Sequence, residues 1–239
     1  MPRRPTAPQI DSFLNAIITD IALEVTRLSS RNRDWAADAD AALRAVKAAR
    51  LPTESLAGHC WHVADAVLLV GPVAFPGEFD LERAVTLSIL HDKYTGGWDV
   101  VGEEGTTTFD FDHQDGQAAA NIAAARSYLV HLPLSAIKPQ LDLLAEMAEN
   151  RSREARLVSA VDRLQGVISV MVRTRGDMSD DHIRFALSYS TPAAGLCPEV
   201  APFITAAHRR LCQVVGTARE VDGTELYDQF AFELLAQAA

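Results

Sequence analysis

The chain has little cysteine. Its three residues, Cys60, Cys197 and Cys212, lie far apart in 239 positions and form no CxxC pair. That spacing offers no zinc cage or dithiol redox centre, and describes reduced, packed thiols in a cytoplasmic protein. Basic residues are also short, 22 Lys and Arg against 32 Asp and Glu, giving a formal charge of −10. A general binder of nucleic acid or of an anionic membrane needs a basic face to neutralise phosphates, so neither partner is expected. A small anion can still bind where a metal ion reverses the local field. The start MPRRPTAPQ is basic but leads into no apolar signal core, and no run is expected to reach the length of a membrane span. Internal repeats and low-complexity tracts are missing as well. What is present is a 48% hydrophobic composition, enough to bury a sizeable core as one domain over residues 1–239.

Periodicity along the chain is helical rather than alternating, so the expected fold is all-α. Apolar residues recur at Ile10, Phe13, Leu14, Ile17, Ile18 and Ile21, predicting a helix from about Gln9 to Leu28. An Ala-rich stretch from about Asp34 to Ala49 predicts a second, and Leu51-Pro52 breaks the chain after it. Thr53 or Ser55 then caps a helix that ends near Gly71-Pro72, and another runs from about Asp80 to His91 and Asp92. Between Lys93 and Asp115 periodicity gives way to Gly, Thr and acidic residues, as in an active-site wall or lid. Helices resume at about Gly116 to Val130, Ser135 to Glu149 and Ser152 to Thr174. A C-terminal helical layer follows at about Asp177 to Ala186, Pro198 to Thr217 and Thr224 to Gln237.

Three of these segments carry residues that suit a cation. His91-Asp92, in SILHDKYTGG, closes an apolar helical run with a nitrogen donor beside a carboxylate, and such neighbours can clamp one divalent ion. His59 and His62 stand one turn apart in PTESLAGHCWHVADAVLLV, on a helix whose other faces are apolar. Asp162 lies inside the hydrophobic stripe of EARLVSAVDRLQGVISVMV, where a carboxylate needs a cation or hydrogen-bond donors to offset its desolvation.

A His, then a His-Asp pair, then a distant Asp on successive helices resembles the metal signature of the HD-domain superfamily of phosphohydrolases. TESLAGHCWHVA and EARLVSAVDRL are similar to the first and last ligand helices of the branch that includes bacterial 5'-deoxynucleotidases. The likeness covers about Arg50 to Val172 and implies an HD-type helical bundle with additional N- and C-terminal helices. It further implies one divalent cation held by His59, His91, Asp92 and Asp162. Ligand type alone leaves manganese, cobalt, iron and zinc open. His62 falls outside that four-residue set and reads as a packing residue or as support for the ligands. Arg50 stands where related nucleotidases carry an arginine before the first ligand helix. It joins Lys93 and Trp98 as a substrate-contact candidate, with Arg163 and Tyr94 behind them and a surface or loop-packing role as the alternative for each.

The chain departs from that branch at one point. The branch follows its His-Asp pair with a proton-transferring or water-orienting glutamate and a Thr-Gly-Asp turn, whereas HDKYTGGWD has Thr95 and Gly97 at those spacings. Asp92 itself, and Asp99, Glu103 and Glu104 from the loop, are the remaining catalytic carboxylates. Asp110, Asp112, His113 and Asp115 read either as a second cation site or as an acidic solvated loop.

Three function classes follow. One is metal-dependent hydrolysis of a small phosphomonoester, a nucleoside or deoxynucleoside 5'-monophosphate. Another is a metal- or nucleotide-binding regulator that has lost turnover. The last is a different metal-dependent reaction, for which His62, His113 and Asp115 would supply extra ligands to two irons. A small phosphorylated substrate is the expected partner, and exposed apolar C-terminal helices would suit a homodimer.

Overall fold

The computed structural model describes residues 6–25, 55–77, 79–93, 122–127, 129–130 and 132–237. Those residues are helical and contain no strand. The principal helices are α1 (Ala7–Val25), α2 (Leu56–Ala74), α3 (Leu81–Leu90), α4 (Leu134–Ala148), α5 (Arg153–Thr174), α6 (Asp180–Leu196), α7 (Ala201–Arg219) and α8 (Gly223–Gln237), with a further helical stretch over 122–127.

Helix starts follow local chemistry. The hydroxyl oxygens of Ser55, Ser152 and Ser179 accept from the amides of Gly58, Ala155 and His182, and the Asp80 carboxylate accepts from Arg83 N. Each satisfies one of the donors that a helix leaves open at its first turn, worth about 1 kcal/mol apiece. Helix α5 ends with Arg175 in the left-handed conformation, followed by Gly176 at φ 87°. Any side chain at Gly176 would meet Val214 O at 2.5 Å, so only glycine fits where α5 turns beneath α7.

Helix α5 is the axis of the molecule. It packs on α1, α2, α3, α4, α6 and α7, and Leu157, Val158, Val161, Leu164 and Ile168 are buried along its length. Helices α2 and α3 lie against each other and against α5, which sets the three ligand-bearing segments side by side. One core joins α1 through Ile17 and Ile21, α2 through Val63 and Val67, α7 through Phe203 and Leu211, and α8 through Phe230. Each fully buried aliphatic side chain of this kind contributes roughly 2 kcal/mol by removal from water.

Several boundaries differ from the sequence expectation. Helix α2 continues through Pro72 to Ala74, and α6 runs ten residues past Ala186, through Pro192, to Leu196. Both prolines sit on exposed positions, so the carbonyls deprived of a partner face solvent, while buried neighbours (Val70 and Gly71, Ser190 and Ala193) hold the helix in place. The C-terminal layer begins at Asp180 rather than Asp177, because Ser179 is the cap. Helix α2 also corrects the expectation that no run reaches membrane-span length. Its 19 residues are long and apolar enough by length and composition, and 44% of the apolar window is buried inside the fold. The expected helix over 34–49, the remainder of 116–130 and the segment after Lys93 lie outside the described residues.

Candidate metal centre

His59 projects from the second turn of α2, His91 forms the C-cap of α3 with Asp92 directly after it, and Asp162 lies in the third turn of α5. Their tips converge. The Nε2 atom of His59 lies 3.1 Å from Asp162 Oδ1, 3.6 Å from Asp92 Oδ2 and 3.3 Å from His91 Nε2. The Nε2 atom of His91 lies 3.7 Å from Asp92 Oδ2 and 3.8 Å from Asp162 Oδ1. Ligands held about 2.0–2.2 Å from one cation sit roughly 3.0–3.5 Å from each other, so these separations match a shared ion. His59, His91 and Asp162 form a compact group that could hold one, and Asp92 adjoins both imidazoles. Asp92 is the most open, its side chain 34% exposed against 7% for His91.

The far nitrogens decide what the near ones offer. His91 Nδ1 lies 2.7 Å from the backbone carbonyl of Ser88, which can only accept, so Nδ1 carries the proton. His59 Nδ1 faces Gln165 Oε1 at 3.0 Å, a buried amide one turn beyond Asp162 on α5. With both Nδ1 atoms donating, both neutral imidazoles present bare Nε2 lone pairs to each other and to two carboxylates. Four acceptors facing one point need a positive charge between them, and a divalent ion fits that requirement.

The electrostatics follow the same logic. Burial opposes charge on His91. Hydrogen bonds with Asp162 and Cys60 and the charges of Asp162 and Asp92 outweigh it, and its pKa rises well above 6.5. Burial likewise opposes ionisation of Asp162, yet hydrogen bonds from His59 and His91 hold its carboxyl well below the usual carboxylate range. The cluster therefore binds positive charge, as protons or as metal.

Other predicted site residues fall elsewhere. Lys93 donates from Nζ to Gln140 Oε1 at 3.3 Å on α4. Arg163 turns towards α6, its Nη1 3.4 Å from Tyr189 O and its guanidinium 5.6 Å from the Tyr189 ring centre. His62 is buried, edge-on to Trp61 at 5.7 Å, and is not part of the His59–His91–Asp162 group. Arg50, Tyr94, Trp98, Asp99, Glu103, Glu104, Asp110, Asp112, His113 and Asp115 lie outside the described residues.

Sequence reasoning missed two participants. Gln165 gave a signal, a polar residue inside the apolar stripe three positions after Asp162. The Ser88 carbonyl gave none, because backbone groups carry no sequence letter. On the neighbouring α6, the charge of Asp162, then burial, raise the Tyr189 phenol pKa, Asp92 adds to this, and the Arg163 cation opposes it.

An all-α fold with His and Asp side chains from separate helices meeting at one point defines a helical metal-site protein. Comparison with protein families matches the HD domain over residues 42–200, two thirds of the sequence, and the chain belongs to that family. HD domains bind divalent metals and are in general metal-dependent phosphohydrolases. Searches of curated proteins and of solved structures returned no match.

Proposed function

We propose that this protein hydrolyses a small phosphomonoester, a nucleoside or deoxynucleoside 5'-monophosphate, in the cytoplasm, with His59, His91, Asp92 and Asp162 holding one divalent ion. The observation that carries the reading is the convergence of four acceptor atoms with both Nδ1 positions already engaged. Manganese, cobalt, iron and zinc all suit two imidazoles and two carboxylates. The bound ion supplies Lewis-acid stabilisation of charge on a phosphoryl oxygen and makes hydroxide available near neutral pH.

The chain's own residues do the rest. Gln165 and Ser88 O fix the imidazoles so that no reorientation is needed when substrate arrives. Asp92, the most open carboxylate of the group, is placed to orient a water as well as to share the ion. The sequence motif HDKYTGG favours a second reading, a metal- and nucleotide-binding regulator, because Thr95 stands where the nucleotidase branch has its glutamate. General acid-base assistance is worth about 10²- to 10⁴-fold, so its loss separates a slow enzyme from a fast one.

Phosphate release from a panel of nucleoside and deoxynucleoside monophosphates, with each metal added in turn, tests the proposal. Metal-dependent release is expected from the wild type and none from Asp92→Ala. Release by Asp92→Ala at the wild-type rate would remove Asp92 from the site. Nucleotide binding without release would select the regulator.

A further inference from the structure

Asp162, Gly166 and Val170 follow one another at one-turn intervals, so they form a single row on α5. None of the three is buried: the Asp162 side chain is 24% exposed, Gly166 is partly exposed and Val170 is 37% exposed. Beyond the metal ligand, then, the row offers no charge and no hydrogen-bonding side chain. Helix α6 returns antiparallel along α5 after the short connection 175–179. A Cβ built at Gly166 would lie 3.4 Å from Tyr189 Cε1, so the edge of that ring borders the gap that glycine leaves. The Arg163 guanidinium lies 5.6 Å from the centre of the Tyr189 ring and holds it from α5. Phe185, one turn earlier on α6, stacks on Tyr189 at 6.1 Å and 20°, which sets it level with Val170. It is 42% exposed. An apolar strip therefore starts at Asp162 and ends at Val170 and Phe185, about 12 Å away at about 1.5 Å per helical residue. That is the scale of a nucleoside whose 5'-phosphate sits at the ion, and a half-exposed aromatic ring at the far end suits a flat, apolar partner.

We propose that this strip is the nucleoside subsite of the metal centre: the base of a 5'-monophosphate stacks on Phe185, and the nucleoside lies along Gly166 and Val170. The inference deepens the phosphohydrolase reading and rests on it for the class of ligand. Continuity with Asp162 on one helix face favours a ligand of the metal centre over any other occupant. Stacking accepts every base, because each has a π face, so Phe185 sets a requirement for a base rather than a choice among bases.

The test compares two ligands that cannot turn over, phosphonate analogues of adenosine 5'-monophosphate and of ribose 5-phosphate, in which a P–C bond replaces the ester. Calorimetry on manganese-loaded wild type, Phe185→Ala and Phe185→Tyr gives the affinities. Removal of one base stack predicts that Phe185→Ala binds the adenosine analogue more weakly by roughly 5- to 150-fold. Its affinity for the ribose analogue and for manganese should be unchanged, and Phe185→Tyr should bind as the wild type does. A wild type that binds the two analogues alike, or neither, overturns the proposal, as does an unchanged adenosine-analogue affinity in Phe185→Ala. Equal losses for both analogues, or a matching loss of manganese, overturn it too, because the ring would then be structural. If Phe185→Ala instead dissociates a wild-type dimer and leaves both affinities as they were, the strip is an interface between copies and the proposal falls. The nucleotide panel reads out separately. No phosphate release with the Phe185 difference intact removes the hydrolase reading and keeps the subsite, whereas release without that difference does the reverse.

Discussion

Replacing Gln165 with Leu should weaken metal binding by 10- to 100-fold, and the size of the effect follows from one contact. The Oε1 atom of the fully buried Gln165 lies 3.0 Å from Nδ1 of the partly buried His59 and keeps the proton on Nδ1. Leucine has nearly the same volume and no acceptor. The proton then gains by moving to Nε2, where Asp162 Oδ1 is 3.1 Å away and ready to accept. That switch turns the ligand nitrogen into a donor, and a metal has to reverse it before binding. Loss of an outer partner of a ligand histidine costs about 10- to 100-fold in affinity, or about 1.4–2.7 kcal/mol. Gln165→Glu keeps an acceptor at the same point and should bind metal at least as tightly as the wild type. Calorimetric titration with manganese or zinc, alongside melting curves of the metal-free proteins, supplies the comparison. Wild-type affinity in Gln165→Leu would refute the assigned role of the amide. Equal losses in both variants, with lowered melting temperatures, would show that packing and not the acceptor matters.

Two further predictions concern stability. His208, buried beside the Ser190 hydroxyl at 2.6 Å, has its pKa lowered by burial to about 4 from 6.5. The unfolded chain therefore binds the extra proton first as pH falls, and stability drops from pH 6.5 down to about 4, by about 3 kcal/mol in all. Melting temperatures at pH 7, 5 and 4 should fall more steeply for the wild type than for His208→Gln, and parallel slopes would count against this account. Arg83 Nε donates to Glu146 Oε1 at 3.0 Å and Nη2 donates to Oε2, joining α3 to α4, and the Arg83 hydrogen bond lowers the Glu146 pKa. Because Arg83 stays half exposed, Glu146→Gln should cost only about 1–2 kcal/mol in urea unfolding at neutral pH. The difference should shrink below the unfolded pKa of 4.5, where the wild-type carboxyl also protonates. An unchanged midpoint would show the pair contributes nothing.

How much of this was legible in the sequence depends on whether a feature is written in side chains. Ser55, Asp80 and Ser152 mark helix starts because a capping oxygen is a local signal, readable without tertiary structure. The positions of His59, His91-Asp92 and Asp162 stood out because polar groups in apolar stripes need a reason to be there. Pro72 misled, since a proline reads as a stop unless its exposed position is known, and exposure is a property of the packed helix. Gln165 was visible as a polar residue in a buried stripe, but nothing in the text joins it to His59, 106 positions away. Tyr189 packs beside Arg163 only because α6 folds back along α5, and sequence spacing carries no trace of that.

The placement of His91 at the C-cap of α3 has a consequence for the order of events. The carbonyl end of a helix carries about half a negative charge, and here one of those carbonyls holds the ligand imidazole itself. With Asp92 and Asp162 alongside, the carboxylates and that carbonyl end offset the positive charge that a proton on His91 supplies, so without a metal the centre offers a phosphate no net attraction. A divalent ion supplies the missing charge, and the anion is attracted only afterwards. Under the proposed function, binding is therefore sequential, metal before substrate. A phosphomonoester offered to the metal-free protein would find nothing there to hold it.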